Sequence, residues 1–387
     1  MNLLFLTSRF PYPIEKGDKL RAYYFIKHLS QYHNIFLFAI NPRDPLPSHI
    51  EQLKPFCKKI HVEKISFAHS FFIMIRAIAG SQPFQVAYFT SNHTKKKLKH
   101  FVAKHSPDKI FCHLIRMAEY EKVIHREDSM LDYMDAFSKG MQRLAEQSSW
   151  WKRIFLRIEE SRLKKYESKV YHQFKTHLII SKQDAEFIDH PKRANISVIP
   201  NGVDFSFYQP LKAEKKYELI FVGNMAYPPN VQAVNFAVKK ILPIVRESMP
   251  GVKLIIAGAN PSASVRNLAN DKVIVSGWVE NILPVMASAK VMIAPMLISI
   301  GLQNKILQAM AMQIPCVISR LANNAIGAPI SCVCIADDPA EYAAHIIRLL
   351  NNPAETQQMT NDAYQFVKQH FDWQKNIEHV NVLLQKN

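Results

Sequence analysis

Short apolar runs that alternate with helical stretches constrain the fold of this 387-residue chain more than any other feature. The first run, Leu3–Thr7, precedes a loop rich in proline and glycine, a stretch with apolar residues at helical spacing from Leu20 to Leu29, and a second run at Ile35–Ile40. Two parallel strands need such a helical crossover, so this order predicts a β-α-β unit. Later runs predict further strands of the same sheet at Lys109–His113, Met130–Tyr133 and His177–Ser181.

The alternation begins again near the middle of the chain. A predicted strand at Ser197–Ile199 leads into a turn at Pro200–Gly202. Helical segments separate most of the predicted strands that follow, at Glu218–Val222, Lys253–Ala257, Val273–Val275, Val291–Ala294 and Cys316–Ser319. This pattern predicts an α/β protein with two Rossmann-like, doubly wound domains that face each other across a cleft. We place the domains at residues 1–195 and 196–364, and expect a final helix over residues 365–387 to pack back on the first domain.

Composition excludes several other classes of protein. Hydrophobic residues make up 48% of the chain and charged residues 21%, which is typical of a globular protein. The five cysteines are scattered, and no cysteine and histidine cluster predicts a metal site, so we expect a reducing compartment. The run Leu3–Leu6 is too short for a signal peptide, and no apolar stretch is long enough to cross a bilayer. We therefore expect a cytoplasmic protein.

The positive charge is concentrated in the first half of the chain. Residues 1–200 contain 33 Lys and Arg against 19 Asp and Glu, whereas residues 201–387 contain 16 against 13. A basic half can face nucleic acid, an anionic membrane or a phosphorylated substrate, or it can simply be solvated. Since no nucleic-acid-binding motif accompanies the charge, we expect no nucleic-acid partner.

The segment SSWWKRIFLRIEESRLKKYESK combines Trp150 and Trp151 with many basic residues at helical spacing. Tryptophan and basic side chains together suit the surface of an anionic membrane. A plain amphipathic helix with a solvated charged face is the alternative, and the pattern does not decide between them. The second basic stretch, His93–His105, is better explained as a solvated helix.

Three loops have the residues expected around an anion. In GLQNKILQAMAMQIPCVIS, Gly301 precedes a predicted helix over Leu302–Met312, and Lys305 lies in its first turn, where backbone N–H groups and the helix dipole favour negative charge. In YPIEKGDKLR, Gly17 allows close backbone approach among basic residues. In FVGNMAYPPN, a strand ends and the chain turns at Gly223, where open α/β sheets bind ligands. A buried helix start or solvated lysines are the structural alternatives.

The order of the motifs RFPYPIEKGDKLR, IPNGVD, FVGNMAYPPN, IIAGANPS and GLQNKILQAMAMQIPCV resembles the retaining GT-B glycosyltransferases of glycosyltransferase family 4. Within that family the chain looks most like bacterial sugar transferases of exopolysaccharide and envelope assembly. The resemblance implies a metal-independent, retaining, hexosyltransferase-like enzyme without a cofactor. Its donor substrate would be a nucleotide-diphosphate sugar, and its acceptor an envelope glycan or a lipid-linked glycan at the inner face of the cytoplasmic membrane.

The resemblance also implies roles for individual residues. The implied donor-binding residues are Gly17, Lys19, Gly223, Asn224, Met225, Asn230, Asn260, Gly301, Gln303, Asn304, Lys305 and Gln308. The implied acceptor-binding residues are Lys16, Arg21 and Arg116. His113 and Asp135 follow predicted strands and are weak candidates for proton transfer, because packing or acceptor binding explains them better, with a buried and satisfied polar residue as the default. No residue is nominated as a catalytic base.

The chain departs from the family pattern at three positions. The family has two glutamates separated by seven residues, and the matching positions here are Ile300 and Gln308. Asn224 stands where many members have an arginine. Gln308 can still bond ribose hydroxyls, but a neutral amide binds them more weakly than a carboxylate. We expect reduced donor affinity. The alternative is a degenerate GT-B protein that binds a nucleotide-sugar or glycan without efficient turnover, and an epimerase would need acid–base residues that the sequence does not reveal.

Overall fold

The computed structural model describes residues 1–65, 80–124, 128–146, 148–298 and 301–386. The chain divides into two compact units. The first unit contains Met1–Pro200 and Gln374–Asn387, and the second contains Asn201–Trp373. Each unit is an α/β domain built on one parallel sheet.

The sheet of the first unit has its strands in the order β3-β2-β1-β4-β5-β6-β7, all paired in parallel. The strands are β1 Asn2–Thr7, β2 Asn34–Asn41, β3 Cys57–Lys64, β4 Lys109–His113, β5 Ser129–Asp132, β6 Thr176–Ile179 and β7 Ser197–Val198. The helices are α1 Gly17–Leu29, α2 Pro47–Glu51, α3 Phe84–Phe89, α4 Asn92–His105, α5 Ala118–Glu121, α6 Phe137–Glu146, α7 Trp150–Val170 and α8 Lys182–Phe187.

The sheet of the second unit repeats this strand order, as β10-β9-β8-β11-β12-β13. The strands are β8 Tyr217–Val222, β9 Leu254–Ala257, β10 Val273–Gly277, β11 Ala289–Ala294, β12 Cys316–Ile318 and β13 Cys334–Ile335. The helices are α9 Pro228–Phe236, α10 Leu242–Ser248, α11 Ala263–Arg266, α12 Ile282–Ala287, α13 Asn304–Ala311, α14 Arg320–Ile326, α15 Pro339–Asn351 and α16 Pro353–His370. The last helix, α17 Trp373–Gln385, belongs to the first unit from Gln374 onward. In both sheets the strand order reverses beside the first strand, where doubly wound folds bind ligands.

The central strands are buried on both faces. All four side chains of Leu3–Leu6 in β1 are fully buried, and so are those of Leu219–Phe221 in β8. Continuous apolar runs are typical of parallel strands covered by helices on both sides. The strand predictions were based on these runs. The predicted α/β class with two doubly wound domains is therefore confirmed.

Three details differ from the sequence analysis. The strand at Ser197–Val198 pairs with β6 in the first unit and does not open the second. The strands β3 and β13 were not predicted, because β3 is a charged, partly exposed strand and β13 has only two residues. The final helix is broken into α16 and α17: the carbonyl of Phe371 accepts a hydrogen bond from Val203 N–H at 2.7 Å, which draws the chain out of the helix.

Candidate functional site

The loop after β8 forms the centre of the candidate site in the second unit. A Cβ atom on Gly258 would lie 1.8 Å from the carbonyl oxygen of Gly223, and Gly258 has a φ of +144°, so only glycine fits there. A Cβ atom on Gly223 would lie 2.6 Å from Nδ2 of Asn230. The two glycines thus allow the ends of β8 and β9 and the start of α9 to approach closely.

Asn230 and Asn224 fix the shape of this loop. Asn230 is buried and donates from Nδ2 to the carbonyl oxygen of Asn224 at 3.0 Å. The side chain of Asn224 accepts a hydrogen bond from Ala226 N–H at 3.0 Å. Met225 is fully buried and its N–H donates to the carbonyl of Ala259. The side chain of Met225 packs inside the domain, and the donor contact expected of this residue stays a prediction.

Lys305, in the first turn of α13, is buried beneath this loop. Its Nζ donates to Oδ1 of Asn230 at 2.5 Å and lies 4.4 Å from the centroid of the Phe221 ring. Burial lowers the pKa of Lys305 to about 7. The sequence predicted that Lys305 adds a full positive charge at a helix start that suits an anion. The structure instead shows a buried amine that connects α13 to Asn230 and, through it, to Asn224.

The other predicted residues of this unit surround the start of α13. Gly301 has a φ of +70° with open space where a Cβ would be, and its carbonyl accepts a hydrogen bond from Gln303 Nε2 at 3.3 Å. Oδ1 of Asn304 accepts from Asn201 at 3.3 Å. Gln308 is partly exposed one turn later. Asn260 is exposed with a φ of +55°.

Within the described part of the chain, no side chain caps the first turn of α13. Its backbone N–H groups therefore suit an anionic ligand. Ile300 and Gln308 are the two positions that match the glutamates of the family pattern. Ile300 lies outside the described residues.

At the carboxyl edge of the first sheet, the predicted site residues Arg21 and His113 form a buried hydrogen-bonded network with Asp132. Arg21 donates from Nε and Nη2 to both oxygens of Asp132, at 2.8 and 2.9 Å, and from Nη1 to the carbonyl of Ile199 at 2.8 Å. The nitrogens of His113 lie 2.9 Å from Oδ2 of Asp132 and 3.0 Å from the carbonyl oxygen of Asp18. Burial alone would raise the pKa of Asp132, but Arg21 and His113 outweigh it and hold that pKa well below its usual range.

This network gives two of the predicted site residues partners within the protein. Arg21 and His113 are fully buried, and their polar atoms bond other residues of the first unit. Both side chains are engaged within the protein, and the roles expected of Arg21 in acceptor binding and of His113 in proton transfer stay predictions. Both residues join α1 to the ends of β4 and β5. Asp132 was not predicted, because nothing local in the sequence indicates its long-range partners.

A second group of charges at this edge is less completely paired. Arg9 donates to Asp18 at 2.6 Å, and Arg116 donates from Nη2 to Gln85 at 2.6 Å while its guanidinium lies 4.7 Å from the centroid of Phe137. Burial and neighbouring carboxylates raise the pKa of Asp135 to about 7. Arg9 and Asp18 were missed, although both lie in the motif RFPYPIEKGDKLR.

The remaining predicted residues lie at the start of α1. Gly17 is its first residue, and a Cβ there would lie 3.1 Å from Cε of Met134. Lys16 is exposed, and Lys19 is partly buried with its Nζ 3.6 Å from Glu15. Burial lowers the pKa of Lys19. Gly17 and Lys19 thus lie beside Asp18, at the edge that holds Arg116 and Asp135.

The N-terminal half of α7 exposes an apolar face. Trp150 is 75% exposed and Trp151 58%, and the face continues through Ile154, Phe155 and Ile158. Arg153, Arg157 and Arg162 line a shallow groove of about 580 Å³ beside the two isoleucines. Apart from the stacking of Phe155 on Phe84, this apolar face is not covered by the described part of the first unit. None of the described helices combines the length and apolarity needed to cross a bilayer, and no three potential metal ligands cluster among the described residues.

Comparisons with known proteins match this architecture. Residues 216–352, which contain β8, Asn230 and α13, match the model of the family described as Glycosyl transferases group 1. The "Uncharacterized 44.6 kDa protein in cps region" of Klebsiella pneumoniae is 24% identical over 244 residues, which are 59% of this chain and 61% of that protein. The match thus spans less than two thirds of that relative.

Solved structures match over the whole chain. Sucrose-phosphate synthase of Thermosynechococcus elongatus has a TM-score of 0.72 at 14% identity, covering 100% of this chain and 99% of the other. HepE of Anabaena in complex with UDP-glucose has a TM-score of 0.71 at 14% identity, covering 100% of both. TarM has a TM-score of 0.70 at 10% identity, covering 99% of both. These similarities show that the fold is the GT-B fold.

Proposed function

We propose that this glycosyltransferase-like GT-B protein transfers a sugar from a nucleoside diphosphate donor to a glycan acceptor. One observation carries the proposal: Lys305 and Asn230 join the loop after β8 to the start of α13, inside the region that matches the glycosyltransferase model. That juncture lies at the carboxyl edge of a doubly wound sheet, where such folds bind nucleotides. The likeness to HepE, solved with UDP and with UDP-glucose, supports a nucleotide-sugar as donor.

The chemistry follows from where charge develops. Transfer makes the diphosphate the leaving group, so negative charge on it grows in the transition state. The first-turn N–H groups of α13 and its dipole stabilise that charge, and the Lys305 amine lies behind the same turn. We assign the partly exposed Gln308 to the hydroxyls of the donor. Retention of the anomeric configuration and independence from metal rest on the resemblance to family 4.

Thermal-shift measurements with UDP, GDP, ADP and CMP and their sugars test this proposal. We expect one nucleoside diphosphate and its sugar to raise Tm, because a ligand that binds only the folded state stabilises it. Lys305→Ala should abolish that shift. Release of the nucleoside diphosphate in the presence of an acceptor then separates a transferase from a protein that only binds its donor. A protein stabilised by no nucleotide contradicts the proposal.

We further propose that the acceptor is an envelope glycan or lipid-linked glycan and that α7 holds the enzyme on the inner face of the cytoplasmic membrane. The relative in a cps region supports the first part. The exposed tryptophans, isoleucines and arginines of α7 support the second, since they combine apolar area with positive charge.

Co-sedimentation with vesicles tests the membrane proposal. We expect binding to vesicles that contain phosphatidylglycerol, little binding to pure phosphatidylcholine, and loss of binding in a Trp150→Ser, Trp151→Ser variant. Trp278 provides the matched control, because it is 71% exposed but lies in the second unit. Equal loss of binding in Trp278→Ser, or equal binding to both kinds of vesicle, contradicts the proposal.

A further inference from the structure

Lys305 is a buried cation with no anionic partner among the described residues. Its amine contacts the amide oxygen of Asn230 and the ring of Phe221. α13 also packs against β11, β12 and α16. The charged residues of these elements have other partners: Lys290 on β11 pairs with Glu218, and on α16 Glu355 pairs with Arg348 while Asp362 accepts a hydrogen bond from Gln358. The described residues therefore provide no counter-ion for the charged form of Lys305.

We infer that a diphosphate ligand at the start of α13 drives the uptake of one proton by the Lys305 amine, which makes the site selective for ligands that carry the diphosphate charge. The inference rests on the proposed function and deepens it. The proton moves from solvent to Nζ, and no covalent bond other than N–H forms. Lys305 acts here as a specificity-determining residue for the donor.

The physical reason is the cost of an unpaired buried charge. An ammonium in this position loses its hydration and regains only an amide oxygen and the face of an aromatic ring. A nearby anion favours the charged form of a lysine and raises its pKa. Since the pKa in the empty site is about 7, binding should take up about nine tenths of a proton at pH 8 and about one tenth at pH 6.

The same linkage predicts how affinity depends on pH. Above pH 7 the empty protein must first acquire the proton, so affinity for a diphosphate should fall by up to about tenfold for each pH unit. Binding of the corresponding uncharged nucleoside should not change with pH. The difference between the two ligands isolates the diphosphate as the group that Lys305 recognises.

Isothermal titration calorimetry in buffers with different heats of ionisation measures the proton directly. The probe is UDP-glucose, or whichever nucleoside diphosphate sugar binds in the thermal-shift screen. Its diphosphate diester has no group that titrates near neutral pH, so any proton taken up goes to the protein. At pH 8 the observed heats in HEPES and Tris should differ by the amount expected for nearly one proton, and at pH 6 the dependence on buffer should almost vanish.

One variant and its control test whether the proton binds to the Lys305 amine. Lys305→Arg keeps a positive charge at every pH, so it should bind without uptake. Lys215→Arg is the matched control, because burial also lowers the pKa of Lys215 but its Nζ bonds the carbonyls of Ala287 and Ala289. It should behave like the wild type.

Three outcomes overturn the inference. Equal heats in both buffers at pH 8 overturn it and leave the proposed function standing. Uptake that persists in Lys305→Arg assigns the proton to another group. If no nucleoside diphosphate sugar binds, both the inference and the proposed function fail. Even if Lys305→Arg does not fold, the titrations of the wild type at pH 8 show whether binding takes up a proton.

Discussion

The two sheets share one strand order, yet the buried networks at their carboxyl edges are built differently. In the first unit, Arg21 faces the carboxylate of Asp132 through two hydrogen bonds, with no exposure of either side chain. In the second, Lys305 faces the neutral amide of Asn230. One network contains its own anion, and the other contains a cation without one.

This difference indicates a division of roles. A buried ion pair whose hydrogen bonds are satisfied holds elements in place, and removing one partner leaves a costly charge behind. A buried cation without a counter-ion reduces the stability of the empty protein, and an anionic ligand can recover that free energy. We therefore interpret the first network as architectural and the second as a binding device. The predictions below test that contrast.

The largest effect should come from breaking the first network. Asp132→Asn keeps the shape of the side chain but removes the anion beside Arg21, so we expect a loss of about 3–5 kcal/mol in the free energy of unfolding. Urea denaturation measures it. Asp128→Asn is the control, because Asp128 bonds Lys175 on the exposed surface and its loss should leave stability unchanged. Equal stability of Asp132→Asn and wild type would contradict the architectural role.

Removing the charged residue of the second network should instead increase the free energy of unfolding. Lys305→Met removes the buried charge but leaves Oδ1 of Asn230 without its donor, so we expect a net gain of about 2–3 kcal/mol for the empty protein near pH 6–7. The folded pKa of about 7 lies below the ordinary 10.5, so the unfolded chain binds more protons between these values and wild-type stability rises with pH there.

The measurement is urea denaturation from pH 6 to pH 10. The gap between Lys305→Met and the wild type should close as the pH rises. A Met variant that is less stable than the wild type at pH 6 would show that the charge is compensated after all.

The sequence predicted the elements well and the site only in part. Continuous apolar runs such as Leu3–Leu6 identify buried parallel strands locally, so most strands and both doubly wound sheets were found. The charged edge strand β3 has no such run, and it was missed. The loops at Gly17, Gly223 and Gly301 were correctly placed at strand ends or helix starts, because glycine and the turn signals are local.

Side-chain partners were beyond local reasoning. Arg21 was expected to bind acceptor, but its partner Asp132 lies 111 positions away in the sequence. Lys305 was expected to meet a phosphate, but its partner Asn230 lies 75 positions away. A sequence shows which residues carry charge, whereas only the packed structure shows which charges already have a partner.

Asp135 provides a smaller test inside the first unit. Burial and carboxylate neighbours raise its folded pKa to about 7 from the ordinary 3.8, so the stability it contributes is present below pH 3.8 and is lost as the pH rises to about 7. Because the residue is partly exposed, we expect Asp135→Asn to gain only about 1–2 kcal/mol at pH 8 and nothing at pH 4.

Denaturation at both pH values checks the prediction, with Asp18→Asn as the matched control. Arg9 and its neighbours lower the pKa of Asp18 despite burial, so this variant should lose stability at pH 8. Effects of the same sign in both variants would refute the assignment of Asp135 as an unbalanced charge.

The smallest effect should come from adding a carboxylate near Lys305, so that the second network, like the first, contains its own anion. Gln308 lies three residues after Lys305 on α13, so Gln308→Glu adds a carboxylate on the same side of the helix. If residue 308 bonds donor hydroxyls, the stronger charge-assisted bond should tighten binding of the nucleoside diphosphate sugar by about 1 kcal/mol, or about fivefold. The same carboxylate should keep Lys305 protonated in the empty protein, so proton uptake at pH 8 should decrease. Calorimetric titrations in HEPES and in Tris measure the affinity and the proton uptake, and weaker binding would show that Gln308 does not contact the donor.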